Sequence, residues 1–382
     1  MIRPVEGSST GSASPPEGAT QAPLTKIRVL SRRVRSSMVM AGPVGKGNRA
    51  GAGAAACGGP PQRPSWRRKA RRHGRRRQKG GGRMDKMKVG MVGVGLMGHG
   101  IARNLASKGW ALGFLDHPGN QPVDDLLALG ARRVADLAEL AADSEVVILC
   151  VSGSPQVEAI LLGDDGLLAR IRPGTVIVDC STAIPSSTAR LARLTQEAGG
   201  LFMDAAMTRT PVEAEQGRLN LLVGAEPALL ERMRPLLQSF SETIFHAGEV
   251  GAGHTLKLLH NYVSIGCATL LSEAAACARK SGIADAVFVE ALTKGGGYGA
   301  ALDRIAPFLL EGDASGMRFS VANAAKDLGY YLRLSQDAAA AHQAASGIEA
   351  ALRTLAEGGF ADSYLSEAAA SFGAGGADPA AR

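Results

Sequence analysis

Beyond residue 86 the chain alternates two textures. Short and nearly unbroken apolar runs occur at Met87–Val92, Ala111–Leu115, Glu145–Val151, Thr175–Asp179, Leu201–Ala205 and Leu219–Gly224, as expected of strands buried on both faces. Between them apolar residues recur at spacings of three and four, which predicts helices at Ile101–Ala106, Val134–Ala142, Gln156–Leu162 and Ser186–Ala198. Strand and helix in repeated alternation predict a parallel, doubly wound sheet whose ligands lie beyond the carboxyl ends of its strands. After Gly251 the strand texture stops. Thr255–Lys280 holds no proline and one internal glycine, Gly266, and predicts a single helix roughly 40 Å long. Further helices are expected over 285–293, 299–310, 319–340 and 343–356.

The first strand runs into Gly93-Val94-Gly95-Leu96-Met97-Gly98, a GxGxxG pattern that opens a helix. That context, rather than the pattern alone, reads as a dinucleotide site. Gly93 permits the tight turn, Gly95 lets a pyrophosphate approach the backbone, and Gly98 lets helix and strand pack. The helix amides then face the phosphate charge. Asp116 ends the second strand, where an acid can accept the adenosine ribose hydroxyls and repel a 2′-phosphate, so NAD is favoured over NADP. The alternative is a turn residue before Pro118, with His117 a solvated neighbour. Strand ends place Val151, Ser152, Thr182 and the loop after Asp204 around the cofactor. The fold class is therefore an α/β Rossmann doubly wound parallel sheet followed by an all-α domain, joined by a long interdomain helix. The boundaries are 85–250 and 251–370, with a flexible tail over 371–382.

The net charge of +8 hides an asymmetry. Residues 1–83 hold 19 Lys or Arg against Glu6 and Glu17, and the remainder is acidic, at −9. Residues 1–84 read as a basic, disordered extension, because the run Trp66–Arg77 repels itself and cannot bury a core. It has three readings: a nucleic-acid arm, a targeting peptide, or upstream sequence with Met84 or Met87 as the working start. The last is preferred, so no nucleic-acid partner is expected. No apolar run reaches bilayer length, and residues 1–30 lack a secretory apolar stretch. Five cysteines with unpatterned spacing suit a reducing cytoplasm and no metal site.

Near the start of the long helix, Lys257, His260 and Asn261 form a polar cluster on an otherwise apolar face. A lysine near the positive end of a helix and partly desolvated has a lowered pKa and can exchange a proton with a substrate oxygen. An ordinary exposed lysine is the alternative.

Taken together, these residues resemble the β-hydroxyacid dehydrogenase family, which includes 3-hydroxyisobutyrate dehydrogenase and tartronate semialdehyde reductase. The resemblance covers about residues 87–370. It rests on the glycine fingerprint, on Asp179-Cys180-Ser181-Thr182, on Gly251-Ala252-Gly253-His254-Thr255-Leu256-Lys257 through Asn261, and on Lys326-Asp327-Leu328. It implies Lys257 as general acid/base, Asn261 as a substrate-orienting partner, Thr182 and Lys326 near the nicotinamide, and a helical domain that forms a homodimer or homotetramer.

Two departures stand out. Arg209 replaces a glycine of the usual substrate loop, in Asp204-Ala205-Ala206-Met207-Thr208-Arg209-Thr210-Pro211, and His260 replaces an asparagine. The Arg-Thr pair, with Ser264, is similar to the sulfolactaldehyde reductase branch. By that analogy Arg209 and Ser264 are expected to hold a sulfonate or second carboxylate, although that branch has asparagine where His260 stands. Thr208, Thr210 and His260 are expected to complete a site for a small anionic substrate, or else Arg209 makes a loop salt bridge and His260 fills a polar position. The segment Gly295–Gly299 either closes the site or only connects helices. The expected activity is hydride transfer between NAD and a short β-hydroxyacid or its semialdehyde. Rivals are an imine reductase of the same fold, which Lys257 argues against, and a dinucleotide-sensing binding protein using the basic arm.

Overall fold

The computed structural model describes residues 86–375; the basic extension lies outside them, as does the end of the tail. Eight strands form one sheet: β1 (Lys88–Val92), β2 (Ala111–Leu115), β3 (Arg132–Val134), β4 (Val146–Leu149), β5 (Val176–Asp179), β6 (Leu201–Thr208), β7 (Leu219–Gly224) and β8 (Ser241–Gly248). Their spatial order is β3-β2-β1-β4-β5-β6-β7-β8. The intervening helices are α1 (Gly98–Ser107), α2 (Asp124–Ala128), α3 (Leu137–Asp143), α4 (Ser154–Leu162), α5 (Pro185–Glu197), α6 (Pro211–Glu215) and α7 (Pro227–Leu237). Two apolar clusters cover opposite faces of the sheet. One is built on Met91, Ile101, Phe114, Ile148 and Val178, and the other on Val92, Val147, Leu149, Ile177 and Leu191.

The helical half comprises α8 (Ala252–Lys280), α9 (Asp285–Lys294), α10 (Ala300–Glu311), α11 (Val321–Asp337), α12 (Gln343–Leu355) and α13 (Ala368–Gly375). Helix α8 packs on β6, β7 and β8 and also on α10, α11, α12 and α13, so one rigid rod belongs to both halves. At about 1.5 Å per residue its 29 residues span roughly 43 Å.

The structure differs from expectation in detail, within the fold class expected. The helix expected over Val134–Ala142 divides into β3 and α3, because Asp136 accepts the Glu139 amide at 2.8 Å and starts the helix only after it. The sheet is not wholly parallel, since β7 runs antiparallel to β6. Only residues 209–218 join them, fewer than the dozen or so a parallel crossover needs. Strand β8 and helix α7 went unanticipated. The first is a polar, half-exposed edge strand, and the second carries Pro235 inside it. The expected tail starts too early, since α13 runs through Gly375 with Ser371 buried.

Helix α1 is tied to its neighbours by charge. His99 Nδ1 lies 2.8 Å from Glu215 of α6 and Nε2 lies 3.1 Å from Asp125 of α2. Arg103 joins the same two carboxylates at 3.3 and 3.6 Å. There is no room for a side chain at Gly100, where a Cβ would stand 2.5 Å from the Ala214 backbone. Burial alone would lower the His99 pKa, but the bonds to Glu215 and Asp125 outweigh it and raise it above its ordinary 6.5. A folded-state pKa above the unfolded one means the stabilisation is complete below the unfolded value and fades as pH rises through the raised one. Replacing His99 with Gln should therefore lower the urea midpoint clearly at roughly pH 6 and much less at roughly pH 9. Equal losses at both would show that the imidazolium contributes nothing.

Candidate active site in the cleft beside α8

The glycine loop is built as its sequence requires. Gly93 has φ +93°, and a Cβ there would meet the Cys150 carbonyl oxygen at 2.2 Å. A Cβ on Gly98 would lie 2.0 Å from the Gly93 oxygen, so α1 rests directly on the strand end. Gly95 faces open space, Leu96 is 67% exposed, and Met97 packs back on the core. Among the described residues the Gly95, Leu96 and Met97 amides donate to no backbone or side-chain acceptor. Open space over free amides at the start of a helix fits a dinucleotide pyrophosphate. Asn120 holds this loop in place. Its Oδ1 accepts the Val94 amide at 3.3 Å and its Nδ2 donates to the Leu115 carbonyl at 3.0 Å, while the Gln121 amide bonds Val94 oxygen at 2.8 Å. Sequence reading missed Asn120, which follows Pro118 and Gly119 and so resembles any turn residue. Asp116 and His117 line a cavity of about 570 Å³ beside it.

Past β4, Val151 donates its amide to Ser181 Oγ at 3.1 Å, and past β5 Thr182 is half-buried between buried Ser181 and Ala183. Lys326 of α11 bonds the Ser152 carbonyl and stands 3.3 Å from Asp327 Oδ1. Next to it, Tyr330 reaches Gly153, where a Cβ would stand 2.5 Å from its hydroxyl. The helical half thus closes on the turn after β4, where a larger residue at Gly153 would push the Tyr330 hydroxyl aside.

The start of α8 is clamped from the sheet. Buried Asp204 of β6 accepts the Gly251 amide on Oδ1 and the His254 amide on Oδ2, both at 2.7 Å. His254, also fully buried, lies 3.1 Å by Nε2 from the Ser181 carbonyl and 2.7 Å by Nδ1 from Thr188 Oγ1. The carbonyl can only accept, so Nε2 carries a proton. Asp179 Oδ1 accepts the Ser181 amide at 2.9 Å, and its Oδ2, with no hydrogen-bond partner among the described residues, is 3.9 Å from His254. Burial raises the Asp179 carboxyl above its ordinary value, against the opposing pull of His254 and Ser181. His254 therefore ties the turn carrying Thr182 to the helix carrying Lys257, one turn before the lysine. Its position in a glycine-rich helix start hid that role in the sequence.

Lys257, Asn261 and Ser264 follow at helical spacing on one face of α8. Asn261 Nδ2 donates to Asp327 Oδ2 at 2.7 Å. Its Oδ1 is thereby the acceptor for His260 Nδ1, at 3.1 Å. Lys257 is half-buried and has no ion-pair partner within 4.0 Å among the described residues. Desolvation lowers its pKa, with Lys326 adding to the effect and Asp327 opposing it. His260 is lowered too, by desolvation and by the like charges of Lys257 and Arg304, against its bond with Asn261. Arg304 of α10 is a neighbour that the sequence pattern did not reveal.

The loop after β6 is committed locally. Thr208 Oγ1 accepts Asn220 Nδ2 at 3.3 Å. Arg209 has φ +85°, and its guanidinium bonds Glu242 of β8 and the Arg218 carbonyl. Thr210 donates its amide to Glu213 at 3.1 Å and its hydroxyl at 2.6 Å, opening α6. So Lys257, Asn261, His260 and Lys326 come together around Asp327, Ser264 shares their helix two turns beyond Lys257, and Arg209 and Thr210 face other partners. Gly295–Gly299 is an exposed connection before α10, with Tyr298 bonding Asp303 at 3.4 Å.

Residues 88–248 match the NAD binding domain of 6-phosphogluconate dehydrogenase, and residues 251–371 match the NAD-binding domain of NADP-dependent 3-hydroxyisobutyrate dehydrogenase. The chain is 31% identical to 2-(hydroxymethyl)glutarate dehydrogenase of Eubacterium barkeri, over 66% of this chain and 83% of that one. It is 32% identical to NAD-dependent L-serine dehydrogenase of Pseudomonas aeruginosa, over 72% and 94%. Its fold is similar to that of Mycobacterium tuberculosis 3-hydroxyisobutyrate dehydrogenase solved with L-serine, with a TM-score of 0.67 and 24% identity over 75% of this chain and 99% of that one.

Removing the Asp204 carboxylate leaves two amides unpaired at the buried start of α8. Asp204→Ala should cost about 2–4 kcal/mol in urea unfolding, and Asp204→Asn, which keeps one acceptor, about half as much. A loss below about 0.5 kcal/mol for the alanine variant would show that the clamp is ornamental.

Proposed function

This chain belongs to the β-hydroxyacid dehydrogenase family, and from that premise we propose that it is an NAD-dependent oxidoreductase. It interconverts a short β-hydroxyacid and its semialdehyde, with Lys257 as the group that gives and takes the hydroxyl proton. The observation that supports this reading most is the setting of Lys257. It is partly desolvated, free of an ion-pair partner among the described residues, and one helical turn from an Asn261 already oriented by Asp327.

The nicotinamide, when bound, supplies or receives the hydride. In reduction the Lys257 ammonium donates its proton to the substrate oxygen, and in oxidation the neutral amine accepts it. A lowered pKa raises the share of neutral amine at any given pH. Asn261 gives one amide hydrogen to Asp327 and keeps the other for the substrate. Lys257 and Lys326 stand near one carboxylate, Asp327, and Lys257 and Arg304 both stand near His260, a local excess of positive charge that favours an anionic substrate. Asp124, Asp125 and Glu215 line a separate cavity near Leu96 and Pro211, where His99 pairs with the last two.

Thr208, Arg209, Thr210 and Ser264 complete the substrate side of this reading. Arg209 has to leave Glu242 to serve there, and a half-exposed ion pair is worth about 0–1 kcal/mol, less than a bidentate bond to an incoming oxyanion. NAD rather than NADP is supported by Asp116, and the serine dehydrogenase relative is named for the same cofactor.

Lys257→Ala should lower kcat by about 10²–10⁴-fold while NADH binding, read by nicotinamide fluorescence, stays near normal. In the wild type, oxidation should rise with pH to a plateau set by the lowered lysine pKa, below the ordinary 10.5, and reduction should fall over the same range. Near-normal turnover without the lysine would end the reading.

The stripe Leu259, Val263, Cys267 and Leu270 along α8 is exposed, with Val263 at 62%. We propose it as the face on which a second copy docks. Val263→Glu combined with Leu270→Glu should give a monomer by light scattering, and an unchanged mass would assign the stripe elsewhere.

A further inference from the structure

Strands β2 and β3 lie side by side with Phe114 opposite Arg133 and Leu115 opposite Val134. Asp116, just past β2, donates its amide to the Val134 carbonyl at 2.9 Å. This register sets the Arg133 guanidinium against the Asp116 carboxylate, with Nη1 at 3.4 and 3.5 Å from its two oxygens. Side-chain exposures of 47% and 50% mark the pair as hydrated, and at this length such a pair holds weakly. The preceding Arg132 is spent elsewhere, on Glu139 and Asp143.

Arg133 is also the one lysine or arginine lining the cavity of about 570 Å³ at this end of the sheet, among the described residues. His117 lines the same cavity. Its Nδ1 accepts the Gly119 amide at 2.9 Å, so a neutral ring carries its proton on Nε2 and offers it as a donor. A planar guanidinium matched to phosphate oxygens and a neighbouring imidazole N–H would together make a phosphate clamp. Here the clamp is masked by the carboxylate that sits against it. A ribose with a free 2′-hydroxyl can bond Asp116 and leave Arg133 where it is. A 2′-phosphate meets the carboxylate first.

We infer that Arg133 is a specificity-determining residue at the adenosine end, a latent 2′-phosphate ligand held out of use by Asp116. Neutralising Asp116 alone shifts preference from NAD to NADP, and the shift runs through Arg133. The inference rests on the reading of Asp116 as the ribose acceptor.

The test uses the full chain and needs no known substrate. Dissociation constants for NADH and NADPH are measured by nicotinamide fluorescence for wild type, Asp116→Asn, Arg133→Gln and the double variant. Asp116→Asn should weaken NADH about tenfold and tighten NADPH about tenfold, and the double variant should lose the NADPH gain. Arg133→Gln alone should leave weak NADPH binding unchanged. An NADPH gain of equal size in the double variant, or none in Asp116→Asn, overturns the role of Arg133. NADH affinity indifferent to Asp116→Asn overturns the ribose reading instead. A wild type that prefers NADPH and loses the preference in Arg133→Gln overturns both.

Discussion

The Asp204 carboxylate receives two amides from the first turn of α8, and much else in the molecule is arranged around that contact. A helix start carries unsatisfied N–H groups and partial positive charge, so a buried anion there is both needed and stabilised. The anion comes from the middle of the sheet, which fixes the position of α8 relative to the strand ends. Gly224 and Gly253 keep space for it, since a Cβ on either would fall within 2.7 Å of a carboxylate oxygen. His254 adds a second tie, from the same helix turn to Ser181. Lys257 inherits its place from these bonds rather than from contacts of its own.

Much of this was legible in the sequence. Buried parallel strands advertise themselves as apolar runs, and the glycine pattern has a steric meaning at each position, which the contacts at Gly93 and Gly98 bear out. The family resemblance and the division into a sheet and a helical half were also legible. What escaped was set by tertiary context. Strand β8 is an edge with few apolar residues, so no periodicity marks it. The reversal at β7 depends on a loop length, which patterning ignores. Asn120, His254, Arg304 and Arg133 act through partners far away in the chain, and no local spacing signals them.

The electrostatics of the cleft divide by region. Cations gather where α8, α10 and α11 meet, whereas acids gather around His99 and at the end of β2. The two regions thus differ in the sign of the charge they present, and the neutral glycine loop belongs to neither. One short chain segment, from Asp116 to Gln121, links the acidic end to the loop through Asn120.

Arg209 adopts a left-handed backbone where glycine would rest at ease, a conformation that costs an ordinary residue about 1–2 kcal/mol. Its side chain is moored to Glu242 on the outermost strand. Any ligand that lifts the guanidinium away leaves the tense backbone unmoored, so that events in the loop are felt at the rim of the sheet. Guest and border strand would compete for one tether, and the loop's stiffness would depend on which of them holds it.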